Sequence, residues 1–147
     1  MVGFHVVNGA AGRFTGTKFR GLVEANGLVL RDDGAFVLSE EGAILFTVVN
    51  MEKNPFNLEM IKTAVIKGVS FQMDLARTPQ CTETFNRMVL IAKSIALALS
   101  GNLVDDHQRE LSDAQIEKIR QQLKLIQVQM TVRGVPTGSP LALRLFS

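Results

Sequence analysis

Asp105, Asp106 and His107 form the one dense polar triplet in the chain. Two carboxylates beside an imidazole are the residue types that ligate a divalent metal or pass a proton. Three neighbours on one segment give neither a coordination shell nor a cleft, so further ligands must converge from elsewhere. The other Asp–Asp pair, Asp32 and Asp33, belongs to a distant segment. The triplet therefore reads as the turn after a short strand, with one carboxylate paired to Arg109 or holding the turn. His5 lies mid-strand on the outward parity and reads as an isolated surface residue. Cys81 stands at a helix start, which can lower a thiol pKa. A nucleophile also needs a paired His and an oxyanion site, and neither Gly-x-Ser-x-Gly nor P-loop spacing occurs. Helix-start packing is the reading for Cys81. Gly9, Gly12 and Gly16 fall between a first strand and a first helix, without Gly-x-Gly-x-x-Gly spacing, and serve a tight connection. No catalytic residue, metal site or cofactor is expected.

Composition narrows the chemistry further. The 147 residues suit one domain, or one domain with a tail. Hydrophobic residues at 46% and charged residues at 20% supply a core. Nine Phe with no Tyr and no Trp remove a phenolic acid or base and leave Phe as the only large ring. One Cys excludes an internal disulfide and a multi-thiolate zinc site, and it fits a reducing compartment. Sixteen Lys and Arg against 14 Asp and Glu give a net charge of +2, too even for a nucleic-acid footprint. No run approaches the ~18 apolar residues of a membrane span. The opening residues lack the pattern of a signal peptide.

The elements that must position these groups follow from periodicity. Residues 1–7 alternate as a strand, with Val2, Phe4 and Val6 opposite Gly3, His5 and Val7. Residues 17–25 read as a short helix closed by Gly27. Residues 28–38 are strand-like, interrupted at 31–34, with Phe36 and Leu38 opposite Ala35 and Val37. After a turn at 39–42, residues 43–51 form a central strand, apolar on both faces. Phe46, Val48 and Asn50 share one face; Leu45, Thr47, Val49 and Met51 share the other. A short helical piece precedes a strand over 68–75, with Val69, Phe71, Met73 and Leu75 inward and Ser70, Gln72 and Asp74 outward. A long apolar helix runs from about Thr78 to Ser100, with Phe85, Met88, Ala92, Ile95 and Leu99 on one stripe. A short strand follows at 102–105, with another possible at 108–110. Ser112 with Gln115 marks a capping box, and the last helix runs from about Asp113 to Met130.

That order predicts an α+β fold: a largely antiparallel sheet of five or six strands, three helices on one face, a split β-α-β plan, and the other face open. Phe4, Phe36, Phe46 and Phe71 all take the inward parity, so a base-stacking platform is missing and no nucleic acid is expected. The outward row of Leu45, Thr47, Val49 and Met51, with Ala35 and Val37 beside it, is either covered by a helix or the tail or is a docking patch for a partner.

The segment from Asn50 to Met60, Asn-Met-Glu-Lys-Asn-Pro-Phe-Asn-Leu-Glu-Met, resembles the Asn-Met-x-Lys…Phe…Glu-Met segment of the ZipA C-terminal domains, which bind the bacterial division protein FtsZ. Residues 16–27 resemble that family's first helix, Gly68-Val69 opens a matching strand, and Val104-Asp105-Asp106 with Arg109 resembles its Leu-Asp-Asp segment. The resemblance covers residues 1–131, leaving 132–147 as a C-terminal tail. It implies a shallow apolar groove on the open face for the C-terminal tail of FtsZ. It also implies a non-enzymatic tether that holds and bundles FtsZ filaments at the cytoplasmic face of the bacterial inner membrane. The family's N-terminal membrane anchor and linker have no counterpart in this sequence, which would be the soluble binding domain.

By position, the groove would include Val49, Met51 and Lys53, Ala35 and Val37, Ser70 and Gln72, and Gly3 and His5, with Leu45 and Thr47 in the same outward row. Gln72 stands where the family's best-known example has Phe, Asp33 where it has Met, and Gly3 where it has a branched aliphatic. These departures make the expected groove less apolar. In the tail, the Pro-x-Ala-Leu-Arg run at 140–144 loosely resembles a Pro-Ala-Phe-Leu-Arg run of the FtsZ tail. The tail would either dock on the groove or pack against the helices. Two other functions stay open on the sequence: a small-molecule regulatory domain on the same plan, and an enzyme using the Asp105–His107 region.

Overall fold

Alternating strands and 3.6-period helices give the elements in the computed structural model, which describes residues 2–8, 14–52, 54–75, 78 and 80–132. In chain order they are β1 (Val2–Asn8), β2 (Phe14–Thr15), α1 (Gly16–Ala25), β3 (Val29–Leu30), β4 (Phe36–Glu40) and β5 (Ala43–Asn50). A 3-10 turn (Met60–Lys62), β6 (Val65–Ile66), β7 (Gly68–Met73), α2 (Cys81–Leu99), β8 (Gly101–Val104) and α3 (Asp113–Val132) follow. Six strands form one sheet in the order β3-β4-β5-β7-β1-β8, with every neighbouring pair antiparallel. The short β2 and β6 pair separately, beside the start of α1. The tail beyond residue 132 lies outside the described residues.

One parity of the sheet faces the helices. Phe4 and Val6 of β1, Phe36 and Leu38 of β4, Phe46 and Val48 of β5, and Val69, Phe71 and Met73 of β7 are all buried in the main core. They meet the α2 stripe of Phe85, Met88, Ala92 and Ile95, while α1 adds Phe19 and Val23 and α3 adds Ile116 and Leu123. All eight described Phe residues are buried. Phe4 stacks on Phe71 at 5.6 Å, and Phe19, Phe36 and Phe56 form a second ring cluster. Burying each such side chain stabilises the fold by ~1.5–3 kcal/mol, so the core is concentrated on one side of the sheet.

Helix ends are fixed by local chemistry. Thr15 caps α1 by accepting the Lys18 N–H. Ser112 and Gln115 form the reciprocal capping box that starts α3. The residue before α2, Gln80, makes no side-chain cap bond. Gln127 of α3 supplies one instead, its Oε1 accepting the Thr82 N–H at 3.2 Å. Cys81, fully buried, places its Sγ 3.7 Å from the same oxygen, as its helix-start packing role requires.

The 31–34 interruption is a tight turn between β3 and β4. The Arg31 N–H donates to the Ala35 carbonyl and the Gly34 N–H to the Arg31 carbonyl. Gly34 has φ +86°, and a Cβ there would sit 2.3 Å from the Pro55 Cβ. The Phe56 N–H donates to the Gly34 carbonyl, so two loops meet at one glycine. Gly34→Ala should cost more than about 1 kcal/mol, because it adds both backbone strain and a clash. Urea denaturation measures this; an unchanged midpoint would contradict the turn as described.

Candidate docking face

Strand register arranges the uncovered face into cross-strand rows. One row runs Gly3–Gln72–Thr47–Val37–Val29 from β1 to β3. The next runs Val104–His5–Ser70–Val49. A third runs Asn102–Val7–Gly68 and continues to Met51, whose N–H donates to the Gly68 carbonyl at 3.0 Å. Eight of the expected groove residues thus fall on one continuous surface: Gly3, His5, Val37, Thr47, Val49, Met51, Ser70 and Gln72. Ala35 joins them just before β4. Ala35 and Val37 are only 5% and 7% exposed, yet they lie outside the main core cluster. They form the floor of the second face.

Leu45 reaches this face only at its edge, where it borders a hollow with Ile44, Thr47 and Gln72. It is buried in the main core, beside Thr84 and Arg87 of α2. The cause is a bulge: Leu38 pairs with Phe46, but the next residue, Ser39, pairs with Ile44. Leu45 is the extra residue, and the alternation slips by one there. Ile44, not Leu45, is exposed. Lys53 lies outside the described residues.

Two shallow hollows mark the surface. The first, about 340 Å³, is floored by Ala35, Thr47, Val49 and Gln72, with Arg31 and Pro55 on its walls. The second, about 220 Å³, lies between Arg31, Ile44, Leu45, Thr47, Gln72 and Asp74. A larger hollow of about 470 Å³ sits between the β4–β5 turn and α2, where Glu40, Glu41, Glu83 and Arg87 surround Leu45, so charged groups dominate its rim. Arg31 forms a two-pronged ion pair with Asp33, Nη2 to Oδ2 at 2.5 Å and Nε to Oδ1 at 3.2 Å. The Arg31 hydrogen bonds, then the Ala35 N–H, hold the Asp33 carboxyl below its ordinary range. Asp33 thus replaces an apolar rim with a charged one that also closes the turn.

His5 departs from its reading as an isolated surface residue. Its Nδ1 lies 2.7 Å from Ser70 Oγ and its Nε2 lies 2.7 Å from Asp106 Oδ1. The three groups have the order of a hydrolase triad, but with the two ring nitrogens exchanged. Ser70 is 5% exposed and sits on a strand paired on both sides, so the ladder occupies the backbone donors that an oxyanion hole would need. The chain of bonds instead ties the 105–111 loop to the sheet. Asp105 holds the turn, accepting the His107 and Arg109 N–H groups at 2.8 and 3.0 Å, with Arg109 Nε 3.5 Å from its other oxygen. The outward parity of His5 and Ser70 was visible in the sequence; the register that sets them opposite each other was not.

The Asp33 pair carries a pH signature. Its folded-state value is depressed, so its contribution to stability is present above about pH 4 and is lost as pH falls through the folded value. The urea-midpoint difference between the wild type and Asp33→Asn should therefore shrink steadily on acidification below about pH 4. A gap that stays constant or widens would contradict it.

Residues 1–122 match the family described as ZipA, C-terminal FtsZ-binding domain. The chain is 33% identical over 116 residues to the cell division protein ZipA of Vibrio campbellii, covering 75% of this chain and 36% of that protein. ZipA of Vibrio vulnificus is also 33% identical, with 75% and 37% covered. ZipA of Vibrio cholerae is 30% identical over 122 residues, with 79% and 42% covered. The chain thus spans little more than a third of the length of these relatives. With an antiparallel sheet that carries its helices on one face and, among the described residues, none on the other, the chain belongs to the family of ZipA C-terminal domains, cell-division proteins.

Proposed function

We propose that the uncovered sheet face receives the C-terminal segment of FtsZ. The contact would serve to tether FtsZ filaments at the cytoplasmic face of the inner membrane and to promote their bundling. One observation carries the reading: an aliphatic floor, Ala35 and Val37, flanked by half-buried Val49 and Met51, on the sheet face opposite the helices. Such a surface gains free energy when an apolar side chain displaces water from it. Family membership names FtsZ as the partner to test.

No helix among the described residues is long and apolar enough to cross a membrane. The shallow hollows suit a short peptide better than an enclosed ligand. Three or four aliphatic anchors at ~1.5–3 kcal/mol each, less ~2–5 kcal/mol for ordering the peptide and a further cost of association, support modest affinity. Many copies on a membrane facing a filament raise the effective strength by avidity. Lys53, next to this face in sequence, would steer an acidic segment more than hold it.

Titration of a labelled FtsZ C-terminal peptide, followed by fluorescence anisotropy, tests this. Binding should saturate for the wild type. Val49→Asp, which sets an unpaired carboxylate on the floor, should weaken binding by at least about 100-fold while the thermal melt stays cooperative. Equal binding by the variant would reject the face.

A further inference from the structure

The docking face is not uniformly apolar. Thr47 and Gln72 sit directly opposite each other in the β5–β7 register. Among the described residues, neither the Thr47 hydroxyl nor the Gln72 amide hydrogen-bonds to another group. Arg31 borders both hollows together with this pair. Asp33 engages its Nε and Nη2, and no described group engages Nη1. The saddle between the two hollows therefore presents unused donors: one hydroxyl, one amide NH₂ and one end of a guanidinium.

The polar pair at the centre of the neighbouring row is satisfied. His5 and Ser70 bond each other, and His5 also bonds Asp106. A partner that covered the saddle with apolar atoms alone would strip water from three donors and return nothing, a cost per group comparable to a lost hydrogen bond. A partner that brought an acceptor oxygen there would satisfy them together. Asp33 holds one side of Arg31 and Asp74 borders the second hollow, so only the free end of the guanidinium can take a charged acceptor, in the stronger guanidinium–carboxylate kind of bond.

We propose that Arg31, Thr47 and Gln72 form a specificity element that seats a carboxylate side chain of the docked peptide between two apolar anchors. The inference rests on the docking reading above and deepens it. The apolar hollows supply affinity; the saddle fixes the register of the peptide along the face, because a shift by one residue would bury the donors without an acceptor.

The test combines domain variants with an alanine scan of the FtsZ C-terminal peptide. The double variant Thr47→Val, Gln72→Leu removes the hydroxyl and the amide at nearly constant volume and breaks no internal hydrogen bond. It should bind the parent peptide about tenfold more weakly. For one peptide, that with a single acidic residue replaced by Ala, wild type and double variant should bind alike, which is the signature of coupling. Gln72→Glu should weaken the parent peptide further, and salt should relieve part of that loss. Equal or tighter binding by the double variant, or a loss uniform across all peptides, would overturn the element while leaving the docking face intact. Failure of the parent peptide to bind the wild type would overturn both.

Discussion

Two central strands set the terms for everything else. β5 and β7 pair with each other and with a further strand on their outer sides, so every second residue must face the helices and the rest must face away. Phe46, Val48, Val69, Phe71 and Met73 commit one parity to the core. The other parity, Thr47, Val49, Ser70 and Gln72, is then fixed on the opposite surface with no freedom to rotate. A site built this way is held by the same ladder that holds the fold. Its side chains can be exchanged with little effect on the core, provided none brings a charge or bulk into the floor.

The loops around this surface are tied down by specific polar bonds. The 31–35 turn is closed by Asp33 and pinned to Pro55 and Phe56 through Gly34. The 105–111 loop is fastened by His5 to Asp106 at one end. At its other end it returns to the edge strand, the Leu111 N–H donating to Leu103 and Val104 bridging Glu110. That return also covers the outer edge of β8, which would otherwise offer unpaired backbone groups. Both sides of the proposed docking face are thus set in advance, which would reduce the ordering cost of binding a partner there.

Much of this was legible in the sequence, because alternation is a strong signal in strands with one buried face. The inward Phe set, the α2 stripe and the Ser112–Gln115 cap needed only local spacing. Three features needed more. The bulge at Leu45 leaves no local mark, since AILF alternates equally well in either phase, and only the partner strand shows which residue is extra. The His5–Ser70–Asp106 chain joins residues separated by 65 and 101 positions, so it depends on register and on a loop path that spacing does not encode. The β2–β6 pair is two residues long on each side, too short for any periodicity. The aromatic imbalance also takes on a physical meaning. The described Phe residues are all spent on the core, and the opposite sheet face is left to Val, Ala, Met and short polar groups.

The proposed partner would bind the sheet face and not the helical one. Amide chemical-shift mapping on isotopically labelled domain, during titration with the FtsZ C-terminal peptide, tests it most directly. Shifts concentrated at residues 3–5, 35–37, 47–51 and 70–72, with little change along the outer side of α2, are the predicted result. Shifts centred on α2 and α3, with these strand amides unmoved, would contradict it.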